Sequence, residues 1–101
     1  MDVLTPSQYQ ILKFAWQQNS FTIEELARSD VGADRKDATL RTVCDRIVDK
    51  GFLSAEKKKG QAVRYAPIIS KQNYMILLAQ TWFADASEDD KRFFKWAMDQ
   101  I

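Results

Sequence analysis

Between Asp37 and Lys50 the apolar positions keep a helical period. Leu40, Val43, Cys44, Ile47 and Val48 fall at i, i+3, i+4, i+7 and i+8, one face of a 3.6-residue helix. The opposite face carries Thr39, Thr42, Asp45, Arg46 and Asp49, with Arg41 on its flank. Gly51 stands where a C-cap glycine belongs, and either Asp34 or Asp37 suits the N-cap. The period then changes to two. Leu53 and Ala55 alternate with Ser54 and Glu56; Val63 and Tyr65 alternate with Ala62 and Arg64. The spacer Lys57-Lys58-Lys59-Gly60-Gln61 supplies a turn, and Pro67, which cannot donate to a ladder, ends the second strand. A helix followed by a basic two-stranded ribbon is the layout of a winged helix-turn-helix.

The flanking pattern completes that order. Thr5-Pro6-Ser7-Gln8 is a capping box with proline at the first helical position, and Leu4 and Tyr9 are placed as a hydrophobic staple. The first helix runs to about Gln18, with Tyr9, Ile11, Leu12, Ala15 and Trp16 as its core stripe and Phe14 off it, toward a second layer. Thr22 to Glu25 is a second capping box, stapled by Phe21 and Leu26, opening a short helix to about Arg28. After the ribbon, Ser70 caps a helix to about Ala84. Its apolar residues, Tyr74 to Ala79 with Trp82 and Phe83, cover most of its circumference. Such a helix must be buried on more than one side. Ser87 opens a last helix with Phe93, Phe94, Trp96, Ala97, Met98 and Ile101 on one broad face. The expected fold is mainly α with a small β-hairpin: a winged helix-turn-helix over residues 1–68, then C-terminal dimerisation helices over 69–101. So many aromatics outside the first three helices favour a homodimer over a self-contained monomer core. The dimerisation set is Tyr74, Leu77, Leu78, Trp82, Phe83, Phe93, Phe94, Trp96, Ala97 and Ile101.

Composition adds boundaries. The chain has 101 residues and 29% charged residues, as expected for one small soluble domain. No apolar run approaches the roughly 20 residues that span a bilayer. The start, Met-Asp-Val-Leu, lacks the regions of a signal peptide, and one cysteine excludes an internal disulfide. A cytoplasmic protein without membrane contact is expected. Net charge is only +1, but residues 35–65 hold nine bases against four acids. The remaining segments are acidic or nearly neutral. Positive charge gathered on one helix and its ribbon is the footprint of double-stranded DNA as partner.

Enzyme chemistry finds little support. The chain has no histidine and one cysteine, so the usual zinc or copper ligand sets and Ser/His/Asp or Cys/His arrangements do not form within it. Three glycines make no phosphate-cradling loop. Cys44, on an apolar face, reads as a buried structural thiol. No cofactor, metal or small-molecule ligand is indicated.

Three stretches resemble the BlaI/MecI/CopY family of bacterial winged-helix repressors, typified by penicillinase repressors. They are Leu4-Thr5 with Ile11-Leu12 and Trp16; Ala38 to Val43 with Asp45-Arg46-Ile47 and Lys50 to Leu53; and Lys59-Gly60-Gln61 with Arg64 to Pro67 and Ser70. The similarity covers about residues 4–84. It implies a homodimeric repressor whose recognition helix enters the major groove. Carried over by position, Thr39, Arg41, Thr42 and Arg46 face DNA, with Lys57, Lys58, Lys59 and Arg64 at the wing. Some relatives are released by cleavage at an Asn-Phe bond, others by copper at a C-terminal cysteine cluster. This sequence has neither feature. Asp45 and Asp49 share the DNA-facing side and would repel phosphates; the expectation is that both lie toward the far end of the helix, and that Arg46 is otherwise free to pair with Asp49. The rival reading is a winged helix that binds protein instead of DNA. An enzyme acting through carboxylates alone is remote, because Glu88-Asp89-Asp90 reads as a helix start.

Overall fold

The computed structural model describes residues 3–99, apart from the side chains of Asp85, Phe94, Ala97 and Met98. Five helices and three short strands follow in the order α1 (Pro6–Gln18), β1 (Phe21–Thr22), α2 (Ile23–Arg28), α3 (Asp37–Asp49), β2 (Leu53–Glu56), β3 (Arg64–Pro67), α4 (Lys71–Asp85) and α5 (Glu88–Asp99). They form two compact units, the first through Lys71 and the second from Gln72.

Local chemistry accounts for the helix ends. At α1 the Gln8 amide donates to Thr5 Oγ1 at 3.2 Å while the Thr5 amide donates to Gln8 Oε1 at 3.1 Å, so two orphan amides are satisfied reciprocally. Thr22 and Glu25 repeat this at α2, both bonds at 3.2 Å. Neither expected aspartate caps α3. Lys36 occupies the N-cap without a side-chain bond, and Asp37 lies inside the first turn, where its charge meets the positive end of the helix dipole. At the other end the Gly51 amide donates to Val48 O (2.9 Å) and the Phe52 amide to Ile47 O (3.2 Å). Gly51 has φ +89°, and the pair of bonds forms a Schellman motif. The motif turns the chain from α3 straight into β2.

The first unit's core is made by Leu4, Ile11, Leu12, Ala15, Phe21, Ile23, Leu26, Leu40, Cys44, Ile47, Phe52, Leu53 and Tyr65, all buried. Tyr9 and Trp16, expected in the stripe of α1, are only half-buried. They meet edge to face at 6.0 Å, and the Trp16 indole N–H donates to Ile69 O at 2.8 Å. A polar tip with a partner at the rim explains the partial exposure. Phe14 does reach a second layer, edge-on to Phe21 at 5.4 Å.

The ribbon has a third member. The antiparallel sheet runs β1-β3-β2, with Phe21 opposite Tyr65 and Thr22 opposite Arg64, and Leu53, Ser54, Ala55 and Glu56 opposite Pro67, Ala66, Tyr65 and Arg64. β3 is therefore the central strand. Ala55, expected inward, is exposed on the edge strand β2. In the second unit, Asp90 N donates to Ser87 Oγ at 3.2 Å, which caps α5 as its sequence suggests. Tyr74 is buried; Leu77 and Phe83 are half-buried; Met75, Ile76, Leu78, Trp82, Phe93 and Trp96 are exposed. Ile101 and the side chains of Phe94 and Ala97, named above for dimerisation, lie outside the described residues. Among the described residues no helix is long and apolar enough to cross a membrane.

Candidate nucleic-acid interface

α3 is held by its buried stripe, Leu40, Cys44 and Ile47, and this fixes what its other side presents. Thr39, Arg41, Thr42 and Arg46 are all exposed. The Thr42 hydroxyl donates to Ala38 O at 3.0 Å, leaving its methyl and acceptor lone pairs outward. The ion pairs among the described residues include neither Arg41 nor Arg46, so the expected Arg46–Asp49 pair does not form.

The hairpin turn spans Lys58 to Gln61, closed by Gln61 N to Lys58 O at 3.0 Å, with Gly60 at φ +76° as its third residue. That position of a type II turn requires positive φ. Lys57, Lys58 and Lys59 are exposed around it, and Lys57 Nζ donates to Gln61 O. The lysines thus sit on a turn that is closed by its own backbone.

Two groups depart from the sequence expectation. Arg64 stands in β3 opposite Glu56, in the last pair before the lysine turn. Its guanidinium lies 3.2 Å from Glu25 Oε1 and donates to Ser20 Oγ at 3.1 Å, so its charge is directed to α2. Asp45 is in mid-helix, not at the far end, and its Oδ1 accepts a 2.9 Å hydrogen bond from the Tyr65 hydroxyl. Burial and then that bond hold the Tyr65 hydroxyl proton well above its usual range. Burial, and secondarily the charge of Asp45, push the Cys44 thiol up to about 12, so Cys44 stays a protonated core residue. Asp49 is exposed at the last position of α3.

Residues that position this surface escaped the pattern reading. Gln8 is buried and its Oε1 accepts from Lys50 Nζ at 2.8 Å; the same ammonium donates to Val3 O at 3.2 Å. Lys50 therefore ties the end of α3 to the start of α1. The Tyr65–Asp45 bond is likewise not legible in the pattern, since alternation points Tyr65 inward but gives its hydroxyl no partner. Among the described residues no three His, Cys, Asp or Glu side chains gather as a metal site.

A three-helix core and a strand-bordered hairpin tipped by three exposed lysines define a winged-helix DNA-binding transcription regulator. The chain belongs to the penicillinase repressor family, whose model matches residues 4–100. The match continues through α5, past the span that carried the sequence resemblance. No curated protein matches the chain. Among solved structures it is similar to a MepR-like protein complexed with pseudoligands (17% identity, 96% of this chain and 72% of that one, TM-score 0.58). It is also similar to reduced AbfR bound to DNA (18%, 96% and 69%, 0.56). A third is MepR, a transcription regulator of the Staphylococcus aureus multidrug efflux pump MepA (14%, 98% and 77%, 0.54).

Proposed function

We propose that this protein is a homodimeric repressor that reads a pseudo-palindromic operator with α3 and steadies itself on phosphates with the hairpin lysines. The observation that carries the reading is the outward face of α3, where two arginines and two threonines are exposed and the arginines form no ion pair among the described residues. Arginine hydrogen-bonds guanine edges bidentately, and threonine meets phosphate or a thymine methyl. Arg41 and Arg46 are the base or phosphate contacts, with Thr39 and Thr42 beside them. Lys57, Lys58 and Lys59 neutralise phosphates, which gives affinity with little sequence information. Arg64, already facing Glu25, contributes less than the lysines.

The second unit supplies the dimer. Ile76, Trp82, Phe93 and Trp96 are 55%, 42%, 67% and 59% exposed in the single chain, an apolar surface that a second copy would cover. Two α3 helices then meet half-sites about one DNA turn apart.

The test is a fluorescence-anisotropy titration with DNA flanking the protein's own gene, against scrambled DNA, at several salt concentrations. Discriminating binding that weakens linearly with log salt is expected. Equal, weak binding to both DNAs would overturn the reading in favour of a winged helix that docks on protein.

A further inference from the structure

We infer that Tyr65 and Asp45 form a latch that sets the direction of the wing relative to the recognition helix, so that both are positioning residues for DNA binding. The inference rests on the DNA-binding reading above. An aspartate on the outward face of a DNA-reading helix opposes phosphate, and Asp45 makes one bond that accounts for its place there, the 2.9 Å acceptance from Tyr65. The donor is held from behind. The Tyr65 ring is 1% exposed and stacks on Phe21 at 5.6 Å and 23°, and Phe21 is braced edge-on by Phe14 at 5.4 Å. A ring so confined delivers its hydroxyl to one point, and that point is on α3.

The sheet register turns this bond into a lever. Tyr65 pairs with Ala55, and the next pair out, Arg64 with Glu56, is the last before the lysine turn. The Tyr65 bond to α3 is therefore one pair from the mouth of the wing. Its neighbour Arg64 bonds to Glu25 and Ser20, so adjacent residues of the central strand are tied to the two helices of the helix-turn-helix. With both ties made, Lys57–Lys59 and the face of α3 have one mutual geometry. With the hydroxyl removed, the wing keeps its strands but loses its bearing on α3.

Tyr65→Phe keeps the ring and the stack. In free protein, backbone amide relaxation of residues 57–61 relative to α3 should show a more mobile wing in this variant, and Asp45→Asn, which retains an acceptor, should match wild type. On the tightest duplex selected from a randomised pool by the wild-type chain, Tyr65→Phe should bind about threefold to tenfold more weakly, the scale of one hydrogen bond. In a chain carrying Lys57→Gln, Lys58→Gln and Lys59→Gln, the same substitution should change affinity by less than about twofold, because there is no longer a charged wing to aim. An equal loss in both backgrounds, or an unchanged wing in the relaxation data, overturns the latch. If the wild-type chain selects no duplex, the DNA-binding reading fails on its own, and the relaxation arm alone decides whether the hydroxyl orients the wing.

Discussion

Lys50 Nζ donates to Gln8 Oε1 at 2.8 Å, joining the C-terminal end of α3 to the first turn of α1. The same Gln8 oxygen accepts from the Thr5 amide, so a capping box and an inter-helix tie share one atom. Lys50→Met keeps the aliphatic stem and removes the ammonium. The expected loss is about 1–2 kcal/mol in urea unfolding, since a charge-assisted bond to a buried oxygen is lost. The salt slope of DNA binding should not change, which separates this lysine from those of the wing.

The wing lysines should behave the other way. Lys58→Ala should leave stability within about 0.5 kcal/mol and lower the salt slope by about 1 on any duplex. Arg64→Ala, starting from a guanidinium that already faces Glu25, should lower the slope less. Arg46→Ala should cost about 1–3 kcal/mol on the preferred duplex and little on scrambled DNA. Anisotropy titrations over a salt series measure all three.

Gly32 should tolerate no side chain. A Cβ there would lie 2.4 Å from Leu26 O and 2.9 Å from Leu26 C, and both atoms are backbone of α2. Gly32→Ala is expected to destabilise by about 1–3 kcal/mol, the range for forced overpacking, visible as a lower thermal midpoint. The turn between α2 and α3 would open, so DNA affinity should fall with it.

Alkaline pH should weaken the fold. Cys44 and Tyr65 both hold their protons more tightly when folded than when unfolded. The folded chain thus binds more protons once pH passes the unfolded values, 9.0 for the thiol and 10.0 for the phenol. Their contribution is complete below those values and is lost as pH rises, at a slope of up to about 1.4 kcal/mol per pH unit for each group. Urea midpoints at pH 7, 9 and 10.5 should fall in that order. Cys44→Ala should flatten the first part of the decline and Tyr65→Phe the later part.

The second unit is tested by charge. Trp82→Glu with Phe93→Glu places carboxylates on apolar side chains that are 42% and 67% exposed. Sedimentation should find a dimer for the wild-type chain and a monomer for the double variant, with the circular dichroism of the helices retained.

Much of this architecture is legible in the order of residues, because its signals are local. Thr5 with Gln8, and Thr22 with Glu25, announce helix starts within four positions, and Gly51 announces a helix end. The apolar stripe of α3 gave the outward set by subtraction. What escaped depends on partners distant in the chain. β1 is two residues long, too short to show alternation, and Phe21 reads equally well as a staple residue. Asp45 looks like surface until Tyr65, 20 residues on, is brought to it. Arg64 looks like a wing cation until Glu25 is placed beside it. The N-cap of α3 differs for the opposite reason: two aspartates lie near, and the tertiary path puts Lys36 at the boundary.

The position of β3 in the middle of the sheet also constrains the order in which the first unit assembles. Its partner Phe21 is 44 residues earlier than Tyr65, and its other partner, β2, begins only after α3 is complete. Closing a loop of that length costs chain entropy before any strand contact repays it. The capped helices form from neighbours; the strand that joins them must wait for both. Substitutions within α1 and α2 should therefore slow folding, whereas those at the Tyr65–Asp45 and Arg64–Glu25 contacts should chiefly speed unfolding, so the strand that carries the hairpin is the last part of the first unit to form and the first to come apart.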